Sequence, residues 1–376
     1  MTFIASIGAS FEYYDFIIYG LLATYIGKNF FPSGNETTQL FEAFSVFALG
    51  YVTRPIGGIL FGNRGDRVGR KPVFLLSILL MGMSTFLIGL LPTYEQIGVS
   101  ATVILIILRA LQGMAFGSEI PGTITFLIEH NQFQHRGFHT SIALSSISLG
   151  AALGMVIVLM LNESLTVIQM TSYGWRIPFL IGGVLALISF YIRHHLHETP
   201  VFLAYIKNNG PSNKQPIINL LRHYPVSILL GIGLSLLSAS LVVFGISLPA
   251  ILRKFSHYDA NHIYFNLLIG YLWAALILPI LGWTSDKMGQ IRQIILTTLL
   301  LIIAIIGYFI SPALYILMPL TMFIIIYQTF VASITNSYLP VLAGMFPANI
   351  RFTGVAFCYN LAYAVAAFLP AIIAKF

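Results

Sequence analysis

The chain has 376 residues, 57% of them apolar and only 8% charged, with a mean hydropathy of +0.88. That is too little charge to clothe a soluble globule, and apolar runs of about 20 residues, each long enough for a helix to cross a hydrocarbon core of about 30 Å, recur along nearly the whole length. The net charge of +7 lies mostly in short loops between those runs, a topogenic pattern that argues against a nucleic-acid partner, and the single cysteine, Cys358, excludes an intramolecular disulfide.

The runs are continuous and do not alternate, so helices are predicted and a β-barrel is not. An all-α polytopic membrane protein with eleven spans is expected, at roughly 3–30, 40–61, 73–92, 98–128, 138–162, 177–193, 225–255, 263–283, 291–311, 313–343 and 352–374. The first run begins next to Met1 and carries Glu12 and Asp15, which suits a first transmembrane helix better than a cleavable signal. Between the second and third runs, "FGNRGDRVGRKPVF" puts Arg64, Asp66, Arg67, Arg70 and Lys71 within eight residues. Span 4 contains Pro121-Gly122, where a break or kink is expected. After span 6 comes the one linker-like stretch, His194 to Tyr224, with "NNGPSNKQP". The expected organisation is therefore a bundle at 1–193, a cytoplasmic linker at 194–224 and a second bundle at 225–376, one helix shorter than the first.

With the N-terminus in the cytoplasm, twelve Lys and Arg fall in cytoplasmic loops, Arg193, Lys214 and Arg351 among them, against five on the other side: Lys28, Arg176, Arg253, Lys254 and Lys375. That balance favours this orientation. The charged loop also has a copy. "GNRGDRVGRK" begins at Gly62 and "GWTSDKMGQI" at Gly282, so Asp66 matches Asp286 and Gly69 matches Gly289 at a constant offset. Each follows the second span of its half, the mark of two repeated bundles around a central site.

A charge inside a membrane costs roughly 2.5–3.5 kcal/mol on insertion scales, so deep charges are functional candidates. Glu12, Asp15, Arg54, Arg109 and Glu119 are the ones deep within spans, all in the first half; the second-half spans carry none away from their ends. Three acids face two bases, and a buried carboxylate without a partner takes up a proton more readily. Asp15, Glu119 and Glu12 are therefore the proton-coupling candidates. The opposing reading pairs these acids with Arg54 and Arg109 as packing elements. Arg109, Gln112 and Arg54, with Tyr14, are candidates for holding a substrate carboxylate, since a guanidinium offers a planar two-pronged donor. In the second half the polar residues are neutral; Tyr271, Gln328 and Asn336 are expected to line the cavity, and aromatic faces there suit a quaternary ammonium. Tyr264, Asn266, Trp273, Tyr359 and Asn360 belong to the same set. The pairs Gly58/Gly62, Gly113/Gly117 and Gly150/Gly154 read as helix-packing positions. His194, His195 and His197 in "RHHLHETP" read as a solvated loop, without the acid or cysteine cluster a metal site needs. No nucleophile–base arrangement, P-loop or zincin pattern is present, so an enzyme is not expected.

"G-x-x-x-D-R-x-G-R-K" after the second span resembles the loop signature of the major facilitator superfamily. "FEYYDFIIYG", "RPIGGILFG", "LQGMAFGSEIPG", "GWRIPF", "HETPVF" and "MFPANIRFTGVAFCYN" resemble the metabolite:H⁺ symporters within it, the group that includes proline/betaine, α-ketoglutarate, citrate and shikimate transporters. The resemblance covers essentially the whole chain. It implies the major facilitator fold, residence in a bacterial inner membrane, and symport of a zwitterion or organic acid with protons by alternating access. It implies no cofactor beyond the proton, no nucleic-acid partner and a monomer. It also implies a gate at Gly62, Asp66, Arg67, Gly69 and Arg70, with Glu129 as a partner for Arg67 or Arg70 and Asp286 as the second copy. Two departures stand out: the family's usual twelfth span has no counterpart, and Gln290 stands opposite Arg70. A proton-independent facilitator and a non-transporting receptor of the same fold are the alternatives.

Overall fold

The computed structural model describes residues 2–32, 34–131, 135–209, 216–256, 260–310 and 320–369. The start of the tenth expected span, the end of the eleventh, Lys214, Lys375 and the side chains of Arg253, Lys254 and Tyr264 lie outside what is described. The described residues form helices and no strands. Eleven long helices follow one another: α1 (Thr2–Leu21), α2 (Glu36–Val68), α3 (Arg70–Leu90), α4 (Val99–His130), α5 (Arg136–Ser164), α6 (Arg176–His194), α7 (Pro225–Ser256), α8 (Ala260–Met288), α9 (Gln290–Ile310), α10 (Leu320–Gly344) and α11 (Arg351–Ala366). Short helices fill several connections, among them Ala23–Phe30, Pro200–Asn209 and Pro216–His223.

Eight of these, α2–α8 and α10, contain a stretch long and apolar enough to cross a membrane. The expectation of eleven crossings is established only to that extent. Apolar side chains such as Leu76, Met83, Leu187 and Leu229 are exposed on their outer faces, as a bilayer solvent requires. The expected break at Pro121 does not occur. α4 runs for 32 residues through it.

Two junctions explain the repeated loop. α2 ends at Gly69, whose φ of +119° reverses the chain into α3; α8 ends at Gly289, with φ of +91°, before α9. A side chain resists both conformations, which is why glycine stands at matching positions of the two halves.

Small residues set the packing of the first six helices. A Cβ added at Gly117 in α4 would sit 2.2 Å from the Arg54 carbonyl oxygen in α2, and one at Gly150 in α5 would sit 2.1 Å from that of Ser10 in α1. Backbone-to-backbone contact of this kind is how helices associate where no hydrophobic effect separates them from lipid. Across the halves, α5 packs along α8 and α2 along α11.

Candidate functional site

A cavity of about 120 Å³ lies between the two sets of helices. Tyr13 of α1, Tyr51 and Arg54 of α2 and Phe116 of α4 line one side; Tyr271 of α8, Tyr327 and Gln328 of α10 and Tyr359 and Tyr363 of α11 line the other. Arg54 is the one charged side chain in this lining among the described residues. Its guanidinium carbon rests 4.0 Å from the Tyr51 ring centre and 4.3 Å from those of Phe16 and Phe116.

The structure divides the expected substrate residues. Arg54, Tyr271 and Gln328 reach the cavity; Arg109, Gln112, Tyr14 and Asn336 do not line it. The Tyr14 hydroxyl donates to the Pro178 carbonyl at 2.9 Å, a contact between α1 and α6. Arg109 donates to Gln112 Oε1 at 3.0 Å, and Gln112 Nε2 donates to Thr85 Oγ1 of α3 at 2.7 Å. The Arg109 guanidinium also lies 4.5–4.9 Å from the rings of Phe16, Tyr19 and Phe47. Asn336 is fully buried in α10, away from the wall.

The acids are arranged differently from the opposing reading, which pairs them with Arg54 and Arg109. Neither arginine forms an ion pair among the described residues. Glu12 and Glu119 instead share Arg193, at 3.1 and 2.5 Å. In the sequence Arg193 reads as a cytoplasmic loop cation, standing in "IRHH" at the end of span 6. It is 1% exposed and turns inward over Gly8, where a Cβ would lie 2.2 Å from its Nε. Its Nη2 donates to the Ala5 carbonyl at 3.1 Å. Asp15 stands apart from this group, against Gly182 of α6, where an added Cβ would meet its Oδ1 at 2.2 Å. The count of three acids against two bases is thus corrected to three against three. The acids lie around Arg193 and Gly182, while the guanidiniums of Arg54 and Arg109 rest on aromatic rings, Arg54 in the cavity wall.

Of the residues expected to form a gate, Gly62, Asp66, Arg70 and Glu129 converge as a cluster. Asp66 Oδ1 accepts from the Phe352 N–H at 3.2 Å, and Oδ2 accepts from the Thr353 N–H at 2.8 Å and its hydroxyl at 2.7 Å. These are free donors of the first turn of α11, so a carboxylate from the first half caps a helix of the second. Gly62 allows the approach, since a Cβ there would lie 3.0 Å from Thr353 Cα. Arg70 pairs with Asp66 at 3.2 Å and Glu129 at 3.0 Å and donates to the Ala348 carbonyl at 2.7 Å. Glu129 also receives Arg351 at 2.8 Å and the Thr199 hydroxyl at 2.7 Å. Arg70 is therefore the partner of Glu129; Arg67 is exposed and outside this buried cluster. The second copy works in reverse. Asp286 of α8 accepts from the N–H groups of Gly137 and Phe138, at 2.8 and 2.9 Å, in the first turn of α5. In the sequence Arg193 and Arg351 count only as loop cations, and nothing there singles out Thr199 or Thr353. Thr199, Arg351 and Thr353 stand inside the quoted "HETPVF" and "MFPANIRFTGVAFCYN".

The family model described as Major Facilitator Superfamily matches residues 5–371. The chain belongs to the major facilitator superfamily. Within it, the chain is 32% identical to the proline/betaine transporter of Escherichia coli K12 over 391 aligned positions, covering 98% of this chain and 76% of that protein. It is 32% identical to the alpha-ketoglutarate permease of the same strain, covering 96% and 83%. The fold is that of the proton:xylose symporter XylE bound to 6-bromo-6-deoxy-D-glucose, with a TM-score of 0.80, 17% identity and coverage of 100% of this chain and 87% of that one. The chain is thus a multi-pass membrane transporter of small metabolites and not an enzyme.

Proposed function

We propose that this facilitator is a proton symporter of a small carboxylate-bearing metabolite. One observation carries the reading: an arginine without an ion-pair partner in the wall of an aromatic cavity, apart from three buried carboxylates of which Glu12 and Glu119 share one arginine, Arg193. The cavity lining supplies one positive charge and no negative one, so a solute carboxylate on Arg54 completes it. Proline, betaine and α-ketoglutarate, the solutes named for the relatives, each carry a carboxylate. The faces of Tyr13 and Tyr271 offer a place for an ammonium group, which favours a zwitterion.

Glu12 and Glu119 bring two carboxylates to one guanidinium, and Asp15 adds a third acid close by. A bound proton relieves such crowding, which suits Asp15, Glu119 and Glu12 to coupling. Alternating access then takes the form of rocking between the 1–193 and 225–376 bundles, linked through 194–224 and latched by Asp66 and Asp286. The latches lie on the face that the Lys and Arg count assigns to the cytoplasm, with the N-terminus, in a bacterial inner membrane. A monomer with the proton as its only cofactor suffices for this scheme.

The test is uptake into proteoliposomes of L-proline, glycine betaine, shikimate and α-ketoglutarate, each with and without an uncoupler. Uncoupler-sensitive accumulation of one of them, lost in Arg54→Gln, is expected. Accumulation that ignores the uncoupler would leave a facilitator, and uptake untouched by Arg54→Gln would remove Arg54 from the site.

A further inference from the structure

α4 and α8 each carry a proline within the helix, Pro121 and Pro279. A helical proline has no N–H to offer the carbonyl four residues before it, so these two free the carbonyls of Gly117 and Ala275. Where no water reaches, a neighbouring side chain has to supply the missing bond. Both freed carbonyls find that side chain in the opposite half. Asn360 Nδ2 of α11 donates to the Gly117 carbonyl at 2.6 Å, and Ser145 Oγ of α5 donates to the Ala275 carbonyl at 2.5 Å. Asn360 is fully buried, and its Nδ2 also donates to the Ala356 carbonyl of its own helix, at 2.8 Å. Gly58 of α2 makes room for it, since a Cβ there would lie 2.5 Å from Nδ2.

The two donors occupy matching positions. Gly137, Phe138 and Ser145 of α5 stand to Phe352, Thr353 and Asn360 of α11 at one constant offset. The first two of each set offer the N–H groups that Asp286 and Asp66 cap. Each capped helix therefore touches the other half twice. The first contact is a carboxylate at its first turn; the second, about 12 Å further along, is a carbonyl that a proline has freed. That inner contact borders the cavity, because Phe116, Leu144, Ala274 and Tyr359, the residues just before Gly117, Ser145, Ala275 and Asn360, line it. The acceptors do not repeat: Gly117 stands in the fourth long helix of its half and Ala275 in the second of its own. The repeat sets the donors, and the prolines set where each acceptor lies. A helical proline is not enough by itself. Among the described residues no side chain of the opposite half donates to the carbonyls of Tyr51 and Asn336, which Pro55 and Pro340 free.

We propose that Asn360 and Ser145 are positioning residues that hold the two halves together beside the cavity, and that Pro121 and Pro279 act by leaving each of them a carbonyl. When the halves rock apart on this face, neither carbonyl can turn back to an N–H of its own helix, and water is the only substitute. The inference rests on rocking of the 1–193 and 225–376 bundles and needs neither the proton nor the solute.

The test is a double-mutant cycle on the full chain in detergent. Cys358→Ser removes the native thiol, and Ser141→Cys places a reporter on α5, where the fully buried Ser141 packs on Gly282 of α8. Alkylation of the introduced thiol by N-ethylmaleimide reads how often α5 parts from α8. Asn360→Leu keeps the volume, removes the donor and strands the Gly117 carbonyl, so alkylation is expected to quicken about fivefold or more. With Pro121→Ala the restored N–H takes that carbonyl, and the same substitution should then change the rate less than about twofold. Ser145→Ala should behave likewise, with Pro279→Ala as its background, and Ser145→Thr, which keeps the hydroxyl, should match the parent. If Asn360→Leu does not fold, the Ser145 cycle decides alone. Effects of equal size with and without the proline overturn the proposal. So does a parent-like rate in either Asn360→Leu or Ser145→Ala, or a quickened rate in Ser145→Thr. Uncoupler-insensitive uptake would instead overturn symport and leave this cycle to judge the contact.

Discussion

Arg193 decides the electrostatics of the first half at the scale of a single side chain. It neutralises part of two buried carboxylates, and without it both stand unpaired in a low-dielectric interior. Breaking a buried pair by removing one partner costs about 3–5 kcal/mol. Arg193→Gln is therefore expected to lower the melting temperature in detergent markedly, and Arg193→Gln with Glu12→Gln to recover part of the loss. Equal melting of the single and double variants would deny the shared pairing. Gly182 makes a second residue-scale prediction. A methyl there would meet Asp15 Oδ1 at 2.2 Å, whereas nothing lies within 4 Å of the same position at Gly233. Gly182→Ala should reduce proton-driven uptake at least tenfold, and Gly233→Ala should leave it unchanged; proteoliposome transport reads both. The sequence picks out Glu12, Asp15 and Glu119 because acids in apolar runs are conspicuous. It conceals Arg193, because a cation at the end of an apolar run looks like any loop cation. Only its turn inward over Gly8 separates it from its neighbours His194 and His195, which are exposed.

At the scale of elements, the two charged loops act through helix ends. Asp66 caps α11 and Asp286 caps α5, each carboxylate meeting the positive end of a helix in the other half. Asp66 accepts three hydrogen bonds and pairs with Arg70, while Asp286 accepts two from α5 and has Gln290 where Arg70 stands. Asp66→Asn should therefore open that face more than Asp286→Asn. A cap of this type is worth about 1–2 kcal/mol, or roughly a tenfold shift in the closed-to-open ratio. Labelling of a cysteine introduced on that face measures it, and identical accessibility in both variants and the parent would count against a latch. The repeat offset and the glycines at 62, 69 and 289 were legible in the sequence. What each carboxylate holds was not, because all but one of these donors, the Thr353 hydroxyl, are backbone N–H groups more than 140 residues away, and almost any residue type supplies an N–H.

Across the whole molecule, Glu129 ties three parts of the chain together: Arg70 at the start of α3, Arg351 at the start of α11, and Thr199 in the connection after α6. Replacing it by glutamine keeps the shape and removes the charge that both arginines share. Glu129→Gln should slow turnover several-fold while leaving binding of the transported solute near its native affinity. Proteoliposome transport and equilibrium binding on the same preparation separate the two, and a loss of affinity equal to the loss of rate would place Glu129 in the binding site instead.

The sequence by itself determined the solvent, the element type and the family. Long apolar runs admit only helices in a bilayer, the repeated loop marks two related halves, and the motifs spread over the chain carry the superfamily resemblance. It also singled out Arg54, Asp66 and Glu129, because charge is rare enough here to be noticed. Only the tertiary structure decided which partner each charge takes. Among the described residues Arg54 and Arg109 find aromatic rings and no acids, Glu12 and Glu119 converge on Arg193, and the cavity lining includes Arg54 but not Arg109 or Gln112. The reason is geometric. Residues that share one helix keep a spacing that sequence reveals, whereas contacts among α1, α3, α4 and α6 depend on how far each glycine lets a neighbouring backbone approach.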